Sequence, residues 1–109
     1  MSYNIFTIPP FDRQLKRLAK KYPSLKSEYA NLIEILEQKP EQGTNIGYNC
    51  YKIRLAIASK GKGKSGGARV IANVAIADDS VFLLSIYDKS EQTNISDKEL
   101  VELIKYIAE

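Results

Sequence analysis

The stretch YKIRLAIASKGKGKSGGARVIANVAIADDSVFLLSIY, residues 51–87, decides the fold because most of it alternates with a period of two. Large apolar residues alternate with basic residues and alanines over residues 51–57, as in a strand with one buried face. A glycine-rich loop over residues 58–67 follows, and then a long strand over residues 68–77. Asp78 and Asp79 predict a tight turn, and residues 80–87 its hairpin partner. The segment therefore predicts consecutive antiparallel strands.

Before and after this stretch, apolar residues recur mainly at the three- and four-residue spacing of a helix. Residues 3–8 predict a short strand that Pro9 and Pro10 end, and residues 11–22 predict a helix that stops at Pro23. Ser24 is placed to cap a second helix, and Ser96 opens an S-x-x-E capping box before the last one. The order β-α-α-β-β-β-α predicts an α+β fold of the single domain 1–109: an antiparallel sheet with the helices against one face, a helical hairpin and a C-terminal helix.

Composition is that of an ordinary globular domain. The chain has 109 residues, of which 44% are hydrophobic and 27% charged, so one core suffices and a disordered or fibrous chain is excluded. No apolar run approaches the roughly 20 residues of a membrane span, and the N-terminus lacks the features of a signal peptide. Cys50 is the single cysteine. We therefore expect no membrane association, no disulfide and a cytoplasmic location.

The chain contains no histidine. This excludes a Ser-His-Asp or Cys-His catalytic site, a histidine-dependent metalloprotease and a Cys/His zinc site. Catalysis would have to use Lys, Arg, Tyr, Asp or Glu, and we expect neither a metal nor a small-molecule cofactor.

Positive charge is concentrated in one segment. Between Glu41 and Asp78 there is no acidic residue but six basic ones: Lys52, Arg54, Lys60, Lys62, Lys64 and Arg69. All six glycines lie there too, although the net charge of the whole chain is only +3. Glycines allow close approach of a ligand and clustered cations attract phosphates. The alternative is a flexible loop with solvated lysines.

The loop contains Gly63-Lys64-Ser65, the end of a P-loop motif. The first glycine of that motif is missing, since Ala58 occupies its position. A P-loop also leads directly into a helix, whereas Ala68 opens a predicted strand. Both observations argue against a nucleotide-hydrolysing enzyme.

Lys52 and Arg54 are two residues apart on a strand and so share one face. Arg69 could lie beside them across the hairpin, with Lys89 nearby, and no carboxylates are interleaved. Such a face suits a phosphodiester, because the Arg guanidinium makes bidentate hydrogen bonds to phosphate. If the substrate is RNA, its own 2′-hydroxyl can serve as the nucleophile. Lysine can act as acid or base while arginines hold developing charge, so metal-free RNA cleavage is possible. A plain solvent-exposed sheet face is the alternative.

The stretch YKIRLAIASKGKGKSGGARVI followed by VFLLSIYDKSE resembles the RelE/ParE superfamily of toxins from type II toxin–antitoxin systems, most closely the HigB-like branch. The likeness covers about residues 50–105. It implies an mRNA interferase, an endoribonuclease that cleaves ribosome-bound mRNA, inhibits translation and is held inactive by a cognate antitoxin. The catalytic candidates are Lys52, Arg54, Arg69 and Lys89. The candidates for RNA binding are Lys60, Lys62, Lys64 and Tyr87.

Two departures from the family pattern leave other functions open. Tyr106 lies too far into the last helix to match the C-terminal tyrosine of RelE-type toxins, and Ala72 and Asn73 replace aromatic residues of HigB-like relatives. Tyr87 could stack on a base instead, with core packing as its alternative role. The other candidate functions are a non-catalytic RNA- or ribosome-binding domain and a ParE-like gyrase-inhibiting toxin.

Overall fold

A computed structural model describes residues 2–61, 63 and 65–107 of the chain. The alternating segment forms the centre of a five-stranded sheet in the order β1-β5-β4-β3-β2. The strands are β1 (Asn4–Thr7), β2 (Thr44–Gly47), β3 (Cys50–Leu55), β4 (Ala68–Ala75) and β5 (Ser80–Asp88). The helices are α1 (Pro9–Lys21), α2 (Leu25–Gln38) and α3 (Asp97–Ile104), and single 3-10 turns cover Ala58–Lys60 and Ile76–Asp78.

The predicted α+β class and order of helices are confirmed, and the sheet differs from the prediction in two respects. β1 pairs with β5 in parallel, so the sheet is mixed and not wholly antiparallel. The alternation within β1 carries no information on its partner or direction. The extra strand β2 was missed because its turn to β3 lacks glycine: Tyr48 and Asn49 both adopt positive φ, at 56° and 60°. A two-residue hairpin turn of this kind usually carries Asn-Gly.

Both faces of β5 are covered, since all of its residues except Phe82 are buried. α1 contacts this strand through the Tyr22 hydroxyl, which donates to Asp88, and through the side-chain oxygen of Gln14, which accepts from Ser85. α3 also packs against β5. The apolar stripe of α1, including Phe11 and Leu18, is fully buried. Within the described ranges, no helix is long and apolar enough to span a bilayer.

Two serines precede helices as predicted, but only one caps its helix by accepting a backbone N–H. The Ser96 hydroxyl accepts the N–H of Glu99 at 3.1 Å. Ser24 precedes α2 without capping it, because its hydroxyl donates to Glu28 and accepts the N–H of Ser59 at 2.8 Å. Ser24 therefore fastens the 3-10 turn after β3 to the helical hairpin.

A buried ion pair joins α1, the glycine-rich loop and the end of β5. The Asp88 carboxylate is completely buried and accepts hydrogen bonds from Lys60, from the Tyr22 hydroxyl at 2.6 Å and from Ser90. Lys60 also donates to the Gly66 carbonyl at 2.9 Å, across the loop. Burial by itself would raise the pKa of Asp88, but the hydrogen bonds from Lys60, Tyr22 and Ser90 outweigh it and hold that pKa well below its usual range.

We predict that Asp88→Asn lowers the free energy of unfolding by about 3–5 kcal/mol at pH 7, because it leaves the Lys60 ammonium buried without its counter-charge. The folded-state pKa of Asp88 lies below its unfolded value of about 4. The stabilisation is therefore present above about pH 4 and is lost as the pH falls towards the folded pKa. Urea denaturation at pH 7 and pH 3 should show the difference between wild type and variant narrowing in acid.

The matched control is Glu102→Gln, which breaks the exposed ion pair between Glu102 and Lys105. Exposed pairs contribute little, so this variant should stay within about 0.5 kcal/mol of wild type. An Asp88→Asn protein as stable as the control would contradict a structural role for the buried pair.

Candidate functional site

The strand register places three predicted site residues in one row. Arg54 of β3 lies directly opposite Arg69 of β4, and Arg69 lies opposite Tyr87 of β5. The prediction that Arg69 lies across the hairpin from the basic pair is confirmed. Side chains of directly opposed residues lie on the same face of a sheet, so the row brings two arginines together on one face.

Lys52 and Arg54 form the accessible part of the site. They line a shallow depression of about 230 Å³ with Gln42, Gly43 and Thr44, where β2 begins beside β3. The Lys52 ammonium donates to the amide oxygen of Asn94 at 3.4 Å. Within the described part of the chain, neither cation has a carboxylate partner, and Arg54 is exposed. The depression can therefore accept an anion from solvent.

Arg69 lies behind this surface. Its side chain is only 4% exposed, and its guanidinium donates to the carbonyl of Ala68 at 3.0 Å and to that of Ser65 at 3.2 Å. Its charge adds to the positive potential of the row. The predicted bidentate clamp on a phosphate would need the guanidinium to give up these carbonyls.

Tyr87 packs in the core, which was the alternative to its predicted stacking role. It is 4% exposed, and its hydroxyl has no hydrogen-bond partner among the described residues. Burial raises the pKa of the phenol, while the neighbouring Arg69 opposes this effect. The hydroxyl is thus a neutral donor held beside an arginine, a position that sequence alternation could not distinguish from ordinary packing.

The glycine-rich loop is attached at both ends. At its start, Lys60 is 11% exposed and paired with Asp88, which gives it a structural role. At its end, a side chain at Gly67 would collide with the carbonyl of Leu55, so glycine is required by the loop's own return to the sheet. The predicted RNA-binding residues Lys62 and Lys64 lie outside the described residues. RNA binding by Lys60 stays a prediction.

Lys89 follows β5 directly, and its backbone N–H donates to the Gly67 carbonyl at 3.0 Å. Its side chain is half-buried and makes no ion pair with another described residue. The register places Lys89 one residue beyond Asp88, which lies opposite the first residue of β4. Its backbone therefore lies near the end of the Arg54–Arg69–Tyr87 row, and a catalytic role for Lys89 stays a prediction.

The described residues form neither a P-loop nor a cluster of metal ligands. β4 begins at Ala68, so the glycine-rich loop enters a strand and the P-loop interpretation fails on structural context. No group of three or more His, Cys, Asp or Glu side chains within residues 2–61, 63 and 65–107 is arranged to hold a metal.

Two residues near the site could not be found from the sequence. Asp88 lies 28 positions from its partner Lys60, and Asn94, which binds Lys52, lies in a loop without a motif.

The sequence model of the RelE toxin of RelE/RelB toxin–antitoxin systems matches residues 11–109. The chain belongs to the RelE toxin family. Its fold is similar to that of a doubly substituted Escherichia coli RelE in the free state, with a TM-score of 0.62, 20% identity and coverage of 98% of this chain and 99% of that one. The narrower assignment to a HigB-like branch stays a prediction.

The fold also occurs in RelE-family toxins bound to antitoxins. The RelBE2 complex of Mycobacterium tuberculosis matches with a TM-score of 0.58 and 13% identity over 81% of this chain and 99% of that one. The intact E. coli RelBE complex matches with a TM-score of 0.55 and 22% identity over 80% and 96%. At these identities the likeness establishes the fold shared with RelE toxins.

We predict that Tyr87→Phe leaves the free energy of unfolding unchanged or raises it by up to about 1 kcal/mol, because it removes a buried hydroxyl that lacks a partner. Tyr22→Phe is the matched control. It removes the hydrogen bond to the Asp88 carboxylate and should lower stability by about 1.5–3 kcal/mol. Urea titrations of both variants make the comparison, and equal destabilisation would show that the Tyr87 hydroxyl is bonded.

Proposed function

We propose that this RelE-family toxin is a metal-independent endoribonuclease that cleaves ribosome-bound mRNA and so inhibits translation. The observation that supports it is the row in which Arg54 and Arg69 lie directly opposite each other, beside Lys52. Clustered basic side chains on one face of a sheet attract an anionic ligand such as a phosphodiester. The choice of ribosome-bound mRNA rests on the resemblance to RelE/ParE toxins.

In the proposed cleavage reaction, each basic residue has a separate role. The substrate's 2′-oxygen attacks the adjacent phosphorus as its proton leaves, and the bond from phosphorus to the 5′-oxygen breaks as that oxygen gains a proton. Arg54 and Lys52, which line the depression, hold the phosphodiester and the charge that grows on it. Arg69, beside Arg54 on the same face, adds positive charge, and we assign proton exchange with the reacting oxygens to Lys89.

One observation favours a second candidate, a non-catalytic RNA- or ribosome-binding domain. Arg69 and Tyr87 are each only 4% exposed, so two members of the row do not meet solvent. A surface that only binds phosphates needs Lys52 and Arg54 alone. The two functions differ in whether loss of Arg69 changes a rate of cleavage.

We predict that Arg54→Ala and Arg69→Ala each reduce single-turnover cleavage of mRNA on saturating programmed ribosomes by a hundredfold or more. This corresponds to about 3 kcal/mol of transition-state stabilisation, from a charge-assisted contact at Arg54 and from the neighbouring buried charge at Arg69. Lysine at position 54 should recover little, since an ammonium lacks the planar fork of guanidinium. Lys39→Ala, at the exposed end of α2, is the charge-matched control and should cleave as wild type.

Cleavage by Arg69→Ala at the wild-type rate would remove Arg69 from the reaction. If the wild-type protein binds programmed ribosomes without cutting mRNA, the endoribonuclease proposal is wrong and the non-catalytic binding domain is favoured. Circular dichroism of each variant separates a lost contact from a lost fold.

We also propose that a cognate antitoxin covers the groove between α2 and β3, since toxins of this fold occur in toxin–antitoxin complexes. The groove has a volume of about 240 Å³, an apolar floor including Leu32 and Leu55, and Arg54 at its rim. Ile35, 49% exposed, projects beside it. A helix with one apolar and one acidic face fits this surface, because it would bury the apolar floor and neutralise Arg54.

We predict that Ile35→Asp weakens the complex with the co-purified antitoxin at least tenfold, whereas Ile76→Asp leaves it unchanged. Ile76 is 55% exposed and lies in the turn between β4 and β5, outside the groove. Hydrogen exchange should show protection in residues 52–69 and beside α2. Protection confined to the two termini would contradict this placement.

A further inference from the structure

The outer face of α1 carries a second concentration of positive charge, away from the sheet. Five exposed basic residues recur at positions i, i+3, i+4, i+7 and i+8 and surround an open depression of about 550 Å³: Arg13, Lys16, Arg17, Lys20 and Lys21. We propose that this face, the α1 basic face, binds the phosphate backbone of double-helical RNA. The choice of RNA among polyanions rests on the proposed function.

The charges of the α1 basic face are largely uncompensated. Glu91 is the one carboxylate in the described chain that pairs with them, at 2.9 Å from Arg17 and 3.6 Å from Lys21. Arg13, Lys16 and Lys20 make no ion pair with a described residue. Lys20 and Lys21 lie in the last turn, where positive charge stabilises a helix, but Arg13, Lys16 and Arg17 lie outside that turn, and like charges three or four residues apart weaken a helix.

The α1 basic face offers charge without an apolar anchor. Phe11 and Leu18 of the same helix are fully buried in the core, and no large apolar residue of α1 is exposed. A helix that lies on a membrane must insert an apolar face, and protein interfaces centre on buried apolar or aromatic anchors. A surface that contacts nucleic-acid phosphates needs only cations, and it binds independently of the base sequence.

The dimensions suit a duplex backbone. Arg13 and Lys21 are eight residues apart, about 12 Å along the helix axis at 1.5 Å per residue. This length is enough for the face to contact several successive phosphates of one strand. The C-terminal end of the face borders the glycine-rich loop, because the Lys21 and Lys60 ammonium groups lie 5.4 Å and 5.8 Å from the centre of the same Tyr22 ring.

The test is equilibrium binding of a fluorescently labelled 20-base-pair RNA duplex over a series of potassium chloride concentrations. Lys16→Gln/Lys20→Gln should reduce the slope of log affinity against log salt by about two, one for each phosphate contact removed. The control Lys39→Gln/Lys105→Gln removes the same charge from the ends of α2 and α3 and should keep the wild-type slope. The duplex offers no ribosomal decoding site, so the result is independent of mRNA cleavage.

A wild-type slope in Lys16→Gln/Lys20→Gln would overturn the proposal, as would an equal loss in both double variants, which would indicate nonspecific attraction. Unchanged duplex binding together with weaker binding of the co-purified antitoxin would assign the α1 basic face to the antitoxin instead. If wild type fails to cleave mRNA while the slopes differ as expected, the endoribonuclease proposal fails and this one stands.

Discussion

Burial of the Asp88 carboxylate is the constraint on which the arrangement of the site depends. Asp88 ends β5 and lies opposite Ala68, the first residue of β4, so it is next to the row of Arg54, Arg69 and Tyr87. A buried carboxylate must be paired, and its partners come from α1 and the glycine-rich loop. Pairing therefore holds the loop at the ends of the strands that carry the site.

The ion pair between Lys60 and Asp88 also changes which basic residues contribute to the positive surface. The segment between Glu41 and Asp78 contains basic but no acidic residues, which predicts a uniform cationic site. In the fold, Asp88 neutralises Lys60, whereas Lys52 and Arg54 keep no carboxylate partner among the described residues. Lys60 is thus withdrawn from the positive surface that the sequence suggests, whereas Lys52 and Arg54 on β3 remain part of it.

Much of the fold could be predicted because its signals are local. Period-two alternation located β3, β4 and β5, and the prolines bounded the helical hairpin. The position of Arg69 across the hairpin from the basic pair followed from the order of their strands. What escaped prediction is non-local: the parallel pairing of β1 with β5, the partnership of Lys60 with Asp88, and the burial of Arg69. Each depends on an element far away in the sequence.

The central claim is that the cationic row acts on a substrate that supplies its own nucleophile. It is tested most directly by cleavage of ribosome-bound mRNA carrying a single 2′-deoxynucleotide immediately 5′ of the scissile phosphate. The account predicts that the all-ribose message is cut there, leaving a 2′,3′-cyclic phosphate that mass spectrometry identifies, and that the deoxy message is not. Equal cleavage of the two messages would contradict it.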